Sequence, residues 1–253
     1  MDILRLDNIK IVLVEPAGPL NIGSIARVMK NMGLQQLVLV NPHCDIFSAE
    51  SQKMAVHAAE LLSQATIVQT LTDALEGCQR VVATSARPRR LPIETYPPKQ
   101  ILPWLLDGPT ALVFGPEDRG LSNAELYHAQ ACLQIPTNPA YSALNLAQAV
   151  TICCYELRQF TLDHHQGTTE GVPPHYASHH SPSPRELAPF QQKEEFLRAF
   201  EAILLEIGYL HPHTAKARMQ KLRLMVNRGQ LSPQEVAMLR GMIRQVDWKI
   251  QSN

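Results

Sequence analysis

The sequence predicts an α/β fold in which helices cover both faces of a mostly parallel sheet, followed by a small all-helical domain. Up to about residue 160, short apolar runs alternate with helical patterns, which is typical of parallel strands joined by crossover helices. Residues 185–253 show only helical patterns, and residues 161–184 are polar and rich in proline. We therefore predict domains at 1–160 and 185–253, with a mobile linker at 161–184.

The predicted strands of the first domain are short and apolar. The first, Ile9–Val14, is rich in β-branched residues, as expected of a strand buried on both faces. The others are predicted at Leu37–Val40, near Ile67, and at Arg80–Thr84, Leu112–Phe114 and Cys132–Ile135. Helices are predicted at Asn21–Met32, at Ala49–Leu62, from Thr72, from the capping box Ser122-x-x-Glu125, and at Asn145–Phe160. The polar segment Arg87–Pro103 is predicted to be a loop.

The linker and the helical domain differ sharply in composition. Five of the ten histidines lie in the linker, at His164, His165, His175, His179 and His180. Because their spacing is loose and no cluster of Cys, Asp or Glu accompanies them, we interpret the linker as solvated rather than metal-binding. Three helices are then predicted near Pro184–Ile207, Thr214–Asn227 and Pro233–Ile250.

The overall composition excludes several classes of protein. With 45% hydrophobic and 18% charged residues the chain resembles an ordinary globular protein. Its five cysteines are odd in number and form no CxxC pair, which argues against a disulfide framework and a zinc ribbon. No signal peptide is recognisable, and no apolar run reaches the roughly 18 residues that a membrane span needs. We expect a cytoplasmic protein without a metal or a membrane segment.

The charge is unevenly distributed along the chain. The formal net charge is zero, but His211–Asn253 contain eight basic residues and two acidic ones, a local charge of 8 − 2 = +6. Such a bias indicates an anionic partner, although a solvated helical face is the alternative.

Common nucleotide-binding and hydrolase signatures are missing. No G-x-G-x-x-G follows the first strand and no P-loop is present. Neither G-x-S-x-G nor H-E-x-x-H occurs.

The first motif that could carry chemistry is Asn21–Arg27, directly after the first strand. Its glycine and small residues allow a helix N-terminus to approach a ligand or another backbone closely. Arg27 would lie in the first turns of that helix, where it could reach an anion. The alternative is a plain surface cation.

The second motif is Leu112–Leu121, in which a buried strand ends in Gly115 and a charged loop leads to Gly120. In open parallel sheets, ligands bind at the carboxyl ends of the strands, which is where this loop would lie. Three adjacent charged residues between two glycines favour a functional loop over a mere connection.

The third motif is Ile135–Ala147, where Asn, Tyr and Ser residues lie between two apolar segments. Apolar walls with a few fixed polar groups suit a pocket for a small molecule resembling adenosine.

In this order and spacing the motifs resemble the three signature motifs of the SPOUT methyltransferases, whose fold contains a deep trefoil knot. The resemblance covers residues 8–160, and its most specific parts are N-x-G-x-x-A-R, F-G-P-E-D-R-G-L and Y-S-x-L-N-L-A-Q-A-V. Within the superfamily the chain is most similar to bacterial enzymes that methylate the ribose 2′-oxygen of cytidine or uridine 32 in tRNA. Thr84–Arg87 and the tail around Leu222–Arg228 and Leu239–Arg244 carry this narrower resemblance.

The resemblance implies S-adenosylmethionine as the methyl donor, a homodimer whose active site takes residues from both subunits, and tRNA as partner. The implied cofactor contacts are Thr84, Ser85, Ala86, Gly115, Ile135, Ser142, Ala143 and Leu144. The implied catalytic residues are Arg27, Ser142, Glu117 and Asn21. The implied RNA contacts are Arg87, Lys216, Arg218, Lys221, Arg223, Arg228, Arg240 and Arg244. Roles for Asp118 and Arg119 do not carry over, because their loop differs between branches of the superfamily.

Arg27 has a definite expected role. A guanidinium group stays protonated, so we expect Arg27 to hold the phosphate beside the target ribose and to stabilise developing alkoxide charge rather than to act as a base.

The sequence leaves three alternatives open. A related enzyme could methylate ribosomal RNA or another tRNA nucleotide with the same fold. A small-molecule dehydrogenase would fit the α/β alternation but lacks the glycine fingerprint. An RNA-binding protein without catalytic activity could keep the basic tail, but it would not need the Gly115 and Ser142 loops.

Overall fold

The structure is a computed structural model that describes residues 6–86, 91–165 and 186–252. The chain divides into two compact units. The larger contains Met1–Leu75 and Arg80–His179, and the smaller contains Glu76–Gln79 and His180–Asn253.

The larger unit is built on one seven-stranded sheet. The strands are β1 (Ile9–Val14), β2 (Gln36–Val40), β3 (Thr66–Val68), β4 (Arg80–Thr84), β5 (Thr95–Tyr96), β6 (Thr110–Phe114) and β7 (Ala131–Leu133). Their order is β3-β2-β1-β6-β4-β7-β5, and every neighbouring pair is parallel. The central strands β1 and β6 are almost completely buried, which explains why their sequences are apolar rather than alternating.

Helices flank this sheet and form the smaller unit. Those of the larger unit are α1 (Pro19–Met32), α2 (Ala49–Ala55), α3 (Ala59–Ser63), α4 (Leu71–Ala74), α5 (Pro98–Ile101), α6 (Asn123–Leu126) and α7 (Leu146–His165). Those of the smaller unit are α8 (Phe190–Glu206), α9 (Pro212–Arg228) and α10 (Pro233–Gln251). The predicted parallel α/β architecture and the helical C-terminal region are confirmed. None of the helices in the described ranges is long and apolar enough to cross a membrane.

Close packing of α1 against α2 explains one glycine of the first motif. A Cβ atom at Gly23 would lie 2.2 Å from the carbonyl oxygen of Ser51, far inside van der Waals contact. The sequence allows two explanations for this glycine, close approach to a ligand or to another backbone. The structure shows the second.

Three local predictions need correction. The predicted helix Ala49–Leu62 is interrupted at Val56, whose φ of 51° no helix interior permits. The predicted loop Arg87–Pro103 contains β5 and α5, because β7 offers β5 an edge with which to pair. Helix α7 continues to His165 rather than ending at Phe160, because Thr161, one turn after the buried Leu157, extends the buried face of the helix. Of the linker histidines, His175, His179 and His180 lie outside the described residues.

The smaller unit has its own apolar core. Phe196 and Phe200 of α8 stack with their ring centroids 5.7 Å apart. Residues from all three helices surround them, among them Leu197, Met219 and Val236. Because each helix buries only one apolar face, the opposite faces remain available to solvent.

Candidate active site

A cavity of about 450 Å³ opens at the carboxyl ends of β4, β6 and β7. Its size lies in the range of small-molecule sites. The lining includes all eight residues that the sequence motifs predict as cofactor contacts: Thr84, Ser85, Ala86, Gly115, Ile135, Ser142, Ala143 and Leu144. Three separate segments of the chain thus meet where ligands bind in parallel α/β sheets.

Gly115 shapes the floor of this cavity. A Cβ atom there would lie 2.3 Å from the amide nitrogen of Leu121 and 2.4 Å from the carbonyl carbon of Gly120. The loop after β6 therefore folds back onto its own first residue, and only glycine fits at that point.

The segment after β4 is tied to its neighbours by hydrogen bonds. The Thr84 hydroxyl donates to the Val113 carbonyl at 3.0 Å, and the Ser85 amide donates to the Leu133 carbonyl at 3.0 Å. These bonds extend the connections of β4 to β6 and β7 beyond the end of the strand. They hold this wall of the cavity in a fixed position.

The third wall is the segment that leads from β7 into α7. The Thr137 hydroxyl donates to the Ser142 carbonyl at 3.2 Å, which closes the segment on itself. The Asn145 side chain accepts from the Ala147 amide at 2.9 Å, while the Gln148 side chain accepts from the Asn145 amide at 3.1 Å. This reciprocal capping fixes where α7 begins.

Glu117 connects the cavity loop to the N-terminus of α1. Its carboxylate accepts from the amides of Ala17 and Gly18, both at 3.2 Å, and from Asn21 Nδ2 at 2.8 Å. Asn21 Oδ1 in turn accepts from Asn145 Nδ2 at 3.0 Å. Glu117 lines the cavity, whereas Asn21 is not among the lining residues but joins the three motifs through its hydrogen bonds.

The same hydrogen bonds determine the charge state of Glu117. Partial burial on its own would raise its pKa, but the bonds from Asn21, Ala17 and Gly18 outweigh burial and hold the pKa below its ordinary value. Glu117 is therefore an anion near neutral pH, and its hydrogen bonds join the cavity loop to the start of α1.

The variant Glu117→Gln should be less stable than wild type by about 1 kcal/mol at pH 7, because an amide cannot accept all three hydrogen bonds. A carboxylate whose folded pKa is lowered contributes stability above its unfolded value, here ordinarily 4.5, and loses it as the pH falls through the folded value. Urea unfolding at pH 7 and at pH values below 4.5 measures this difference. The difference should shrink in acid; a difference that grows in acid would contradict the assignment.

Arg119 is a residue for which the motifs predict no role. It pairs with Glu15 at 2.6 Å and with Glu125 at 3.1 Å, and both bonds raise the pKa of Arg119 above its ordinary value. Glu15 follows β1 and Glu125 belongs to the capping box of α6, so Arg119 joins the cavity loop to two other elements. The sequence could not show this contact because it depends on β1 and β6 being neighbours.

Arg27 is not among the residues that line the cavity of its own chain. Because α1 begins at Pro19 rather than at Asn21, Arg27 is two turns into the helix and not in its first turns. Its side chain is exposed, and it has no hydrogen-bond or ion-pair partner among the described residues. An unpaired arginine on an exposed face is free to bind an anion from outside the chain.

The predicted RNA contacts divide into two groups. Lys216, Arg218, Lys221, Arg228 and Arg244 are exposed. Arg223 is partly buried in an ion pair with Glu194, and Arg240 pairs with Glu195 at 2.7 Å, so these two connect helices within the unit. Arg87 lies outside the described residues, and within those residues no cluster of His, Cys, Asp or Glu is placed to hold a metal.

Comparison with known proteins places this geometry in a family. Residues 8–155 match the family model described as the SpoU rRNA methylase family, and residues 191–253 match the C-terminal domain of the tRNA methyltransferase TrmJ. The chain is 41% identical to the tRNA (cytidine/uridine-2′-O-)-methyltransferase TrmJ of Pectobacterium atrosepticum, over 95% of this chain and 97% of that protein.

Solved structures are similar as well. TrmJ from Z. mobilis has 28% sequence identity and a TM-score of 0.80, with coverage of 94% of this chain and 98% of that one. An AdoMet-bound rRNA methyltransferase from Sinorhizobium meliloti has 25% identity and a TM-score of 0.51, over 60% of this chain and 56% of that one. The resemblance that the three motifs indicate is thereby confirmed: the chain belongs to the SpoU methylase family and, within it, to the TrmJ group of tRNA 2′-O-methyltransferases.

Proposed function

We propose that this chain transfers a methyl group from S-adenosylmethionine to the ribose 2′-hydroxyl of cytidine or uridine 32 in tRNA. The observation that carries the proposal is the convergence of all eight predicted cofactor contacts on one cavity at the strand ends. The similarity to tRNA 2′-O-methyltransferases supports the substrate class.

The cavity fits the proposed cofactor chemically. Phe114, Leu133 and Ile135 provide apolar surface for an adenine ring, while Ser85 and Ser142 place polar groups beside it. The backbone approach at Gly115 leaves room that any side chain would fill. When bound, S-adenosylmethionine supplies an electrophilic methyl carbon on a positively charged sulfur.

The tasks of the protein are then alignment and charge stabilisation. The ribose oxygen would form its bond to the methyl carbon as the carbon–sulfur bond breaks; the departing thioether would need no proton, and the hydroxyl proton would be released to water. We assign to Arg27 the phosphate beside the target ribose and the charge that develops on the oxygen. Ser142, on the cavity wall, would orient this arginine or the hydroxyl group.

Glu117 and Asn21 act in this proposal through other residues. Their hydrogen bonds connect the cavity loop, the start of α1 and the start of α7. A change in either would shift Arg27 and the cavity relative to one another. We therefore class both as positioning residues rather than as groups that touch the substrate.

A homodimer would account for the absence of Arg27 from the cavity lining of its own chain. Arg27 is exposed on α1 and is not among the cavity-lining residues of its own chain. We propose that it serves the cavity of a second subunit. We further propose that α7, the last helix of the larger unit, is threaded through a loop to form a deep trefoil knot, as the family resemblance implies.

The smaller unit is proposed to hold the body of the tRNA. The five exposed basic residues among its predicted RNA contacts would bind phosphates without regard to sequence, so affinity should fall as salt rises.

A labelled methyl donor and two tRNAs test the function. One tRNA is unmodified, and its matched control already carries a 2′-O-methyl group at nucleotide 32. We expect label to enter only the first tRNA. Equal labelling of the two would show another target position, and labelling of ribosomal RNA alone would exclude tRNA as the substrate.

A further inference from the structure

The turn between α8 and α9 presents an aromatic ring to solvent. Tyr209 is 60% exposed, whereas the next residue, Leu210, is 1% exposed and fills the core of the unit. Gly208, whose φ is 74°, makes the turn that leaves the Tyr209 side chain in solvent and the Leu210 side chain in the core. The ring of Tyr209 is therefore not needed to close the core.

A cation holds this ring from one side. The guanidinium carbon of Arg218 lies 5.7 Å from the centroid of the Tyr209 ring, and Nη1 donates to the Tyr209 carbonyl oxygen at 3.0 Å. Because this hydrogen bond goes to the backbone, Arg218 keeps its position whichever side chain stands at 209. A cation over the face of an aromatic ring is attracted by the ring quadrupole, so Arg218 also helps to hold the ring in place.

Two further rings lie beside this pair along the chain. His211 and His213 stack with centroids 5.8 Å apart and ring planes 8° from parallel. Both are exposed. We call these four residues the aromatic patch: Tyr209 with Arg218, and the exposed rings of His211 and His213 two and four positions further along the chain.

The patch continues into a basic helix face. Helix α9 contains no acidic residue, and the exposed Arg218, Lys221 and Arg228 follow one another at spacings that place them on one side. Planar rings at the end of a basic stripe are the arrangement with which proteins bind single-stranded nucleic acid. An acidic polypeptide would match the charge but would not use stacked flat rings.

We propose that the aromatic patch binds an unpaired base of the substrate RNA by stacking, while the basic face of α9 binds the adjoining phosphates. This inference rests on the proposed function for the identity of the RNA. It assigns to the smaller unit a preference for unpaired nucleotides, beyond a general attraction for phosphate.

Two substitutions in the full-length chain separate the effect of aromatic stacking from the effect of side-chain volume. Tyr209→Leu removes the flat ring but keeps apolar volume, and Tyr209→Phe keeps the ring. Affinity for tRNA is measured by anisotropy, together with affinity for a single-stranded RNA and for a blunt duplex of the same length. Since stacking of one base is worth a substantial part of single-strand affinity, we expect Tyr209→Leu to weaken single-strand and tRNA binding about 5- to 100-fold. Tyr209→Phe should stay close to wild type.

Salt dependence gives a second, independent measurement. Lys221→Ala should lower the slope of log affinity against log salt by about one, whereas Tyr209→Leu should leave the slope unchanged. Equal binding of single-stranded RNA by Tyr209→Leu and wild type would overturn the proposal, as would equal competition by polyglutamate and RNA. Failure of methyl transfer by the wild-type chain would instead count against the proposed function, because these binding measurements do not depend on turnover.

Discussion

Replacing Arg27 with alanine will lower kcat/KM for tRNA methylation by about 10²- to 10³-fold, which is the usual cost of losing one group that stabilises developing charge. The affinity for S-adenosylmethionine should stay within about twofold, because Arg27 does not line the cavity. Single-turnover methylation and calorimetric titration of the cofactor measure the two quantities separately.

A neighbouring cation supplies the matched control. Lys30 lies one turn further along α1, but it is occupied by an ion pair with Glu60 and a hydrogen bond to the His57 carbonyl. Lys30→Ala should therefore leave methylation unchanged. Arg27→Lys keeps the positive charge but lacks the planar guanidinium group that can donate two parallel hydrogen bonds to a phosphate. It should therefore recover only part of the activity. Loss of cofactor affinity in Arg27→Ala would show that the assigned role is wrong.

Replacing Gly115 with alanine will act on the cofactor instead. The new Cβ would lie 2.4 Å from the Gly120 backbone and 2.3 Å from the Leu121 backbone. Because both neighbours are backbone atoms and not flexible side chains, the loop itself must move. Overpacking of this kind costs about 1–3 kcal/mol. If this cost reduces the free energy of cofactor binding by the same amount, cofactor affinity should fall about 5- to 150-fold. Calorimetry on the variant measures it directly.

Gly241 provides the control for Gly115. It lies in α10, and a Cβ atom added to it would have no neighbouring atom within 4 Å, so alanine should fit there without displacing anything. Gly241→Ala should bind the cofactor as wild type does and should gain some stability from helix propensity. If Gly115→Ala also bound the cofactor normally, the cavity would not be the cofactor site.

Mixing the two variants tests the proposed dimer. If Arg27 serves the cavity of the other subunit, a mixed dimer of Arg27→Ala and Gly115→Ala chains contains one intact active site. In an equimolar mixture, random exchange of subunits would then make about a quarter of all active sites intact, compared with all of them in the wild type. If Arg27 serves its own chain, no mixture restores activity, since every site carries a lesion.

Much of the site could be predicted from the sequence because local geometry has local causes. The capping boxes at Ser122 and Asn145 fix the starts of α6 and α7, and Gly115 marks a point where two backbone segments meet. The bonds of Arg119 to Glu15 and of Glu117 to Asn21 could not be predicted. They join residues about a hundred positions apart, and they exist only because β1 and β6 are neighbours in the sheet.

The sequence by itself determined the parallel α/β fold and the helical C-terminal region, and its motifs indicated the family, whose implied cofactor contacts all line one cavity. It did so because apolar periodicity and short motifs specify strands, helices and loops one element at a time. Only the tertiary structure decided which cations are free. Arg27 and Arg223 are the same residue type on amphipathic helices, yet one is exposed without a partner among the described residues and the other is paired with Glu194. The physical reason is that burial and pairing depend on which helix packs alongside, and the sequence does not specify that neighbour.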